Sequence, residues 1–124
     1  MRFKINPWIL TILWMGIIFA GSSFELKPGA SPFTYADKVA HFFEFGFLGI
    51  LLFCSLKRSF AHLPATVLIL LATALTGMYG LSDEVHQLYV PTREFSVYDI
   101  LADVSGGFAC TLCWYLFLRK LRKI

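Results

Sequence analysis

Most side chains able to move a proton or bind an ion fall in two short stretches of this 124-residue chain. The first runs Asp37-Lys38-Val39-Ala40-His41-Phe42-Phe43-Glu44. In a helix, Asp37, His41 and Glu44 stand at i, i+4 and i+7 and share one stripe. At about 1.5 Å rise per residue, Glu44 lies roughly 10 Å deeper along the axis than Asp37. An imidazole that changes charge near neutral pH, beside a carboxylate that fixes its tautomer, is the equipment of a general acid or base. The same residues also suit an internal network of ion pairs and hydrogen bonds. The spacing fits both readings.

The second stretch begins Ser82-Asp83-Glu84-Val85-His86-Gln87 and continues through Pro91, Thr92, Arg93 and Ser96 to Asp99 and Asp103. Gln87 follows Asp83 by four residues and Glu84 by three, which lines polar groups along one continuing turn. Asp83 and Glu84 are candidates for an acid complementary to His41. A metal site is not expected here. No second His lies at a ligand spacing on this segment, adjacent Asp83 and Glu84 point in different directions, and His86 is placed on the surface. No cofactor is expected. Pro91 interrupts regular structure, and the Ser96 hydroxyl suits the cap of a following helix. Asp99, Asp103 and Gly106 or Gly107 repeat the one-face spacing, and the glycines let another helix come close. Arg93 is the cation of this loop. It either partners Asp99 or Glu84, or presents a planar fork to a phosphate or carboxylate.

These side chains need elements to hold them, and the composition restricts the choice. The chain is 57% hydrophobic, 17% aromatic and 15% charged, with thirteen Phe, and its mean hydropathy is +0.67. Soluble domains carry about a quarter charged residues, and a chain this short has too little interior to hide so much apolar surface from water. Disorder is excluded on the same grounds. A membrane span needs roughly 20 mostly apolar residues. Four segments qualify: about Ile5 to Ser23, Asp37 to Leu56, Leu63 to Leu81 (continuing outward as helix to about Tyr89), and Val97 to Leu118. Helices are expected rather than a barrel, whose strands would alternate in short segments. The expectation is a single all-α domain, a membrane bundle of four transmembrane helices. Arg2, Lys4, the first apolar run and Phe19–Ser23 also fit a cleavable signal peptide, but the length of that run and the charge layout favour a retained helix.

Charge is sorted by side. Arg2, Lys4, Lys57, Arg58, Arg119, Lys120, Arg122 and Lys123 fall at one set of helix ends without an acid among them. All eight acids fall toward the other, with Lys27, Lys38 and Arg93. The positive-inside bias then puts both termini and the short 57–63 connection in the cytoplasm, and the polar residues on the extracytoplasmic side. The basic clusters are juxtamembrane anchors facing anionic lipid, and no nucleic-acid partner is expected. Cys54, Cys110 and Cys113 lie within spans and read as packing residues; the Cys110-x-x-Cys113 spacing has no base or second pair near it. A transport path is disfavoured, since the cytoplasmic half offers no polar relay.

The pattern Asp37-Lys38-x-x-His41-x-x-Glu44-x-x-x-Leu48, followed by Ser82-Asp83-Glu84-x-x-Gln87-x-x-x-Pro91-x-Arg93-x-x-Ser96-x-x-Asp99-x-x-x-Asp103-x-x-Gly106, resembles the VanZ-like family of small integral membrane proteins. The likeness covers the second to fourth helices. One position departs: the family pattern is expected to hold Asn where this chain has Asp103, which keeps the hydrogen-bonding shape and changes the charge. The family takes its name from a member linked to low-level teicoplanin resistance. The resemblance therefore implies a protein of the cell envelope with an outward-facing polar pocket, in contact with membrane lipids. The pocket would bind or modify a lipid headgroup, or a lipid-linked or glycopeptide-related wall molecule. On that reading His41, Glu44, Asp83 and Glu84 carry acid–base chemistry, and Lys38, Gln87, Arg93, Asp99 and Asp103 face the substrate. Asp37, Ser82 and Gly106 are structural. The rival reading is a non-catalytic structural or accessory module whose polar residues are internal glue.

Overall fold

The computed structural model describes residues 4–24 and 35–122. Arg2, Glu25, Lys27, the 28–32 part of the outer loop and Lys123 lie outside the described residues. Four helices and no strand are present among the described residues: α1 (Pro7–Ser22), α2 (Ala36–Ser59), α3 (Ala65–Gln87) and α4 (Val97–Arg122). The all-α expectation holds. Three of the helices, α2, α3 and α4, are long and apolar enough to cross a membrane, while α1 is a shorter apolar helix of 16 residues.

Local sequence explains the boundaries. Asn6 accepts a bond from the Trp8 backbone N–H at 3.2 Å, and Pro7 occupies the first helical position, where its missing N–H costs nothing. Pro64 stands one position earlier, at the N-cap of α3. Helices α2 and α4 run past their expected ends at Leu56 and Leu118, to Ser59 and Arg122. Hydropathy marks only the apolar part of a helix. The added turns carry Lys57, Arg58, Arg119, Lys120 and Arg122, which are good helix formers and complement the negative C-terminal dipole.

Side-chain pairs give the helix directions. Trp8 Nε1 donates to Ser59 Oγ at 2.9 Å and Trp14 Nε1 to the Glu44 carbonyl at 3.0 Å, so α1 runs antiparallel to α2. Tyr79 Oη donates to the Met15 carbonyl at 2.6 Å, and Ser22 Oγ donates to Asp83, which sets α3 alongside α1 in the same direction. Helices α2 and α4 are parallel and close. A Cβ at Gly49 would meet the Gly107 carbonyl at 2.8 Å, and one at Gly106 would run into the Phe42 carbonyl. Gly46 faces Cys110 and the Gly106 carbonyl in the same seam. Small residues permit this approach in membranes, where dispersion contacts between helices replace the hydrophobic effect as the driving force.

The core is built around α2, with Phe45, Leu48, Leu52, Phe53 and Leu56 packed against Ile18 of α1 and Leu68, Ile69 and Ala72 of α3. The outward faces are apolar as well; Ile12 and Met78 are 65% and 66% exposed. In water such faces would drive aggregation, whereas lipid accepts them. The basic side chains Lys57, Arg119 and Arg122 line a cavity of about 220 Å³ with Tyr115 and Leu118 at one end of the bundle. The acids gather at the other end.

Candidate functional site

At that acidic end the first turns of α2 and α4 meet the last turns of α3 and the end of α1. Lys38 Nζ lies 2.6 Å from Asp37 Oδ2 and 2.6 Å from Asp99 Oδ1, a bridge between the two parallel helices. Both acids sit in the first turn of their helices, where the positive end of the helix dipole favours them. One turn deeper, His41 Nδ1 is 2.8 Å from Asp103 Oδ1, and His41 Nε2 is 3.8 Å from Asp99 Oδ2. Phe45 stacks parallel to the imidazole, with centroids 5.7 Å apart.

One assignment changes here. The carboxylate that holds the imidazole is Asp103, across the seam, rather than Glu44 on the same helix. Glu44 is half-buried. Pairing across the seam wins because the glycines bring α4 close enough for its acids to reach the α2 stripe. Gly80 of α3 makes room on the far side, since a Cβ there would stand 2.5 Å from Asp103 Oδ2.

Asp83 and Glu84, expected to diverge, both turn inward. Helix α3 lies between α1 and α4, so residues about 100° apart on it both face protein. Asp83 accepts from Ser22 Oγ on one oxygen and from Gln87 Nε2 at 3.3 Å on the other. Glu84 Oε2 accepts from the Ser96 backbone N–H at 2.9 Å. A ring nitrogen of His41 and one oxygen each from Asp83 and Glu84 all lie within 4.8 Å of one another. Glu84 and Asp103 are 0% exposed, and Glu84 Oε1 accepts no hydrogen bond from the described residues.

The start of α4 follows its sequence. Ser96 Oγ accepts from the Asp99 backbone N–H at 3.4 Å, as an N-cap should. The Ser96 N–H, which an acid three residues on often takes, goes to Glu84 of α3, because Asp99 is held by Lys38. Ser96→Ala should therefore lower the unfolding free energy by about 1 kcal/mol, read by denaturation in mixed micelles. No change would mean that Glu84 alone holds this turn.

Two residues, Arg93 and His86, sit elsewhere than expected. Arg93 partners neither Asp99 nor Glu84: its Nε donates to the Phe24 carbonyl at 3.2 Å and Nη2 to the Gly21 carbonyl at 3.4 Å, closing the C-terminal end of α1. Thr92 before it has φ 66°, a left-handed turn unusual for a β-branched residue. His86 is half-buried rather than at the surface; its ring stacks on Phe19 at 4.4 Å. Ser82 is exposed, bonding the Tyr79 carbonyl at 2.7 Å. Sequence reading missed Ser22, a hydroxyl that looks like a span boundary, and Gly80, whose lack of a side chain carries no periodic signal. Gly46-x-x-Gly49 on α2 was the available sign of the seam.

No match was found among curated proteins or among solved structures. A family model described as VanZ/LLP1 matches residues 7–118. The resemblance read from the second to fourth helices thus extends back through the whole of α1, whose Ser22 reaches the cluster. With nearly the full chain matched, from the first residue of α1 to Leu118 of α4, the protein belongs to the VanZ/LLP1 family.

Proposed function

We propose that this VanZ-like membrane protein works in the cell envelope, with both termini in the cytoplasm. Its polar cluster, on the extracytoplasmic side, binds or modifies the headgroup of a lipid or lipid-linked wall precursor. The observation that carries this reading is the concentration of His41, Asp83, Glu84, Asp99 and Asp103, all buried, at the end of the bundle opposite the basic cavity. Ionisable groups in a membrane protein are costly and face the interior only with partners or a function, and here one carboxylate oxygen of Glu84 lacks a partner among the described residues. Lys38, with its side chain 30% exposed at the rim, is the cation placed to meet an anionic headgroup. Arg93 joins it by exchanging its carbonyl partners for phosphate oxygens. His41, oriented by Asp103, serves as general base or acid, and Glu84 or Asp83 as the complementary acid. Gln87 and Asp99 line the substrate side.

A non-catalytic role for the same residues has one observation in its favour: both oxygens of Asp83 are already engaged, by Ser22 and Gln87. Complementation of a deletion strain separates the two. His41→Asn and Glu84→Gln should reach normal membrane levels yet lose the envelope phenotype, such as altered teicoplanin sensitivity, together with any lipid that copurifies with the wild type. General acid–base catalysis is worth about 10²- to 10⁴-fold, so a catalytic role predicts loss to background. Full complementation by both variants sinks the proposal. Loss of phenotype together with a collapsed melting temperature and membrane level assigns the cluster to internal glue.

A further inference from the structure

The acidic end is short of positive charge. Among the described residues, Glu44, Asp83, Glu84, Asp99 and Asp103 converge there, and the nearby cations are spoken for: Lys38 holds Asp37 and Asp99, and Arg93 is bonded to backbone carbonyls. Asp83 and Glu84 are left with hydroxyl, amide and backbone donors. Buried carboxylates in that condition call for a counter-charge.

The side chains around this deficit are arranged as metal ligands are. His41 uses Nδ1 toward Asp103 Oδ1 at 2.8 Å, leaving Nε2 for another bond. A metal-bound imidazole characteristically donates its other N–H to a carboxylate, which fixes both tautomer and ring orientation. A His41 ring nitrogen and one oxygen each of Asp83 and Glu84 lie within 4.8 Å of one another. Ligands about 2.1 Å from an ion stand up to about 4.2 Å apart, so small side-chain rotations close the set. Glu84 is fully buried, and its Oε1 has no hydrogen-bond partner among the described residues. Asp99 Oδ2, 3.8 Å from His41 Nε2, is near enough to add a fourth ligand.

We infer that His41, Asp83 and Glu84 form a binding site for a divalent transition-metal ion, with Asp103 positioning the imidazole. One imidazole with two or three carboxylate oxygens suits Zn²⁺ or Mn²⁺; the imidazole disfavours Mg²⁺ and Ca²⁺, which prefer oxygen alone. The site stands on the geometry of three helices and does not depend on which headgroup, if any, the protein takes. Sequence spacing hid it because His41 and the two acids come from different helices, and the nearer His86 points to α1 instead.

The test uses full-length protein in detergent, with the affinity tag removed and resident metal stripped by chelator. Titration with Zn²⁺ or Mn²⁺ should saturate at one ion per chain and raise the melting temperature by about 5 °C or more at a hundredfold excess over Kd. His41→Asn and Glu84→Gln should each weaken binding at least tenfold, while Glu94→Gln, at an exposed acid in the 88–96 loop, should not. If those variants fail to fold, the wild type decides alone: pulsed electron paramagnetic resonance of bound Mn²⁺ should show coupling to one imidazole nitrogen. Lack of saturable binding up to millimolar ion, binding without nitrogen coupling, or Mg²⁺ bound as tightly as Mn²⁺ would each overturn the inference.

Discussion

Asp103→Leu is expected to destabilise the bundle by 3 kcal/mol or more on a scale where buried pairs cost about 3–5 kcal/mol to break. Asp103→Asn should lose only about 1 kcal/mol. The substitution to Leu removes the acceptor 2.8 Å from His41 Nδ1 and leaves a buried imidazole with only the longer approach to Asp99. It also puts a branched side chain against Gly80, where the native carboxylate already fills the available space. Asparagine keeps an acceptor oxygen and nearly the same shape, and it is the residue expected from the family pattern. The size of the gap is informative. Single interhelical hydrogen bonds in membrane proteins average about 0.6 kcal/mol, so a loss near that value for both variants would show that His41–Asp103 is an ordinary neutral bond. Unfolding in mixed micelles, followed by helical circular dichroism, reads both numbers.

Gly106→Ala is expected to cost about 3 kcal/mol, at the upper end of what overpacking does. Its Cβ would strike the Phe42 carbonyl, and a backbone atom inside a helix cannot rotate away. Helices α2 and α4 would have to separate, carrying the Lys38–Asp99 and His41–Asp103 pairs apart with them. Gly16→Ala is the matched control. Nothing lies within 4 Å of a Cβ at that position on α1, so it should be neutral or stabilising by up to about 1 kcal/mol, the helix propensity gained. Equal stability of the two variants would refute the seam as a tight contact.

The same seam explains what the sequence left open. Apolar runs and charge sorting were enough to place the helices and gather Asp37, His41 and Glu44 on one stripe, because both depend on periodicity within a helix. Partner choice depends on how helices meet. His41 had a carboxylate three residues away in Glu44, yet it pairs with Asp103, 62 positions along the chain. Asp83 and Glu84 looked divergent because spacing reports angles around one axis, and says nothing about whether protein covers both flanks. The contribution of α1 was the least visible part. Ser22 is one hydroxyl at the edge of an apolar run, and only the parallel course of α1 and α3 brings it to Asp83.

Helix α1 also differs from its neighbours in reach. Its 16 residues span about 24 Å, against the about 30 Å of hydrocarbon in a typical bilayer. Trp8, Thr11, Trp14 and Ser22 bond it to α2 and α3 along its length, so it has little freedom to slide. A helix too short for its membrane is met by thinning of the adjacent lipid, at a fraction of a kcal/mol per Å. A bilayer spanned by α1 would thin on that flank. On the proposed headgroup-binding role, such thinning would lower the phosphate layer toward Ser22 and Asp83 and shorten the distance a lipid travels out of its leaflet to reach the buried acids.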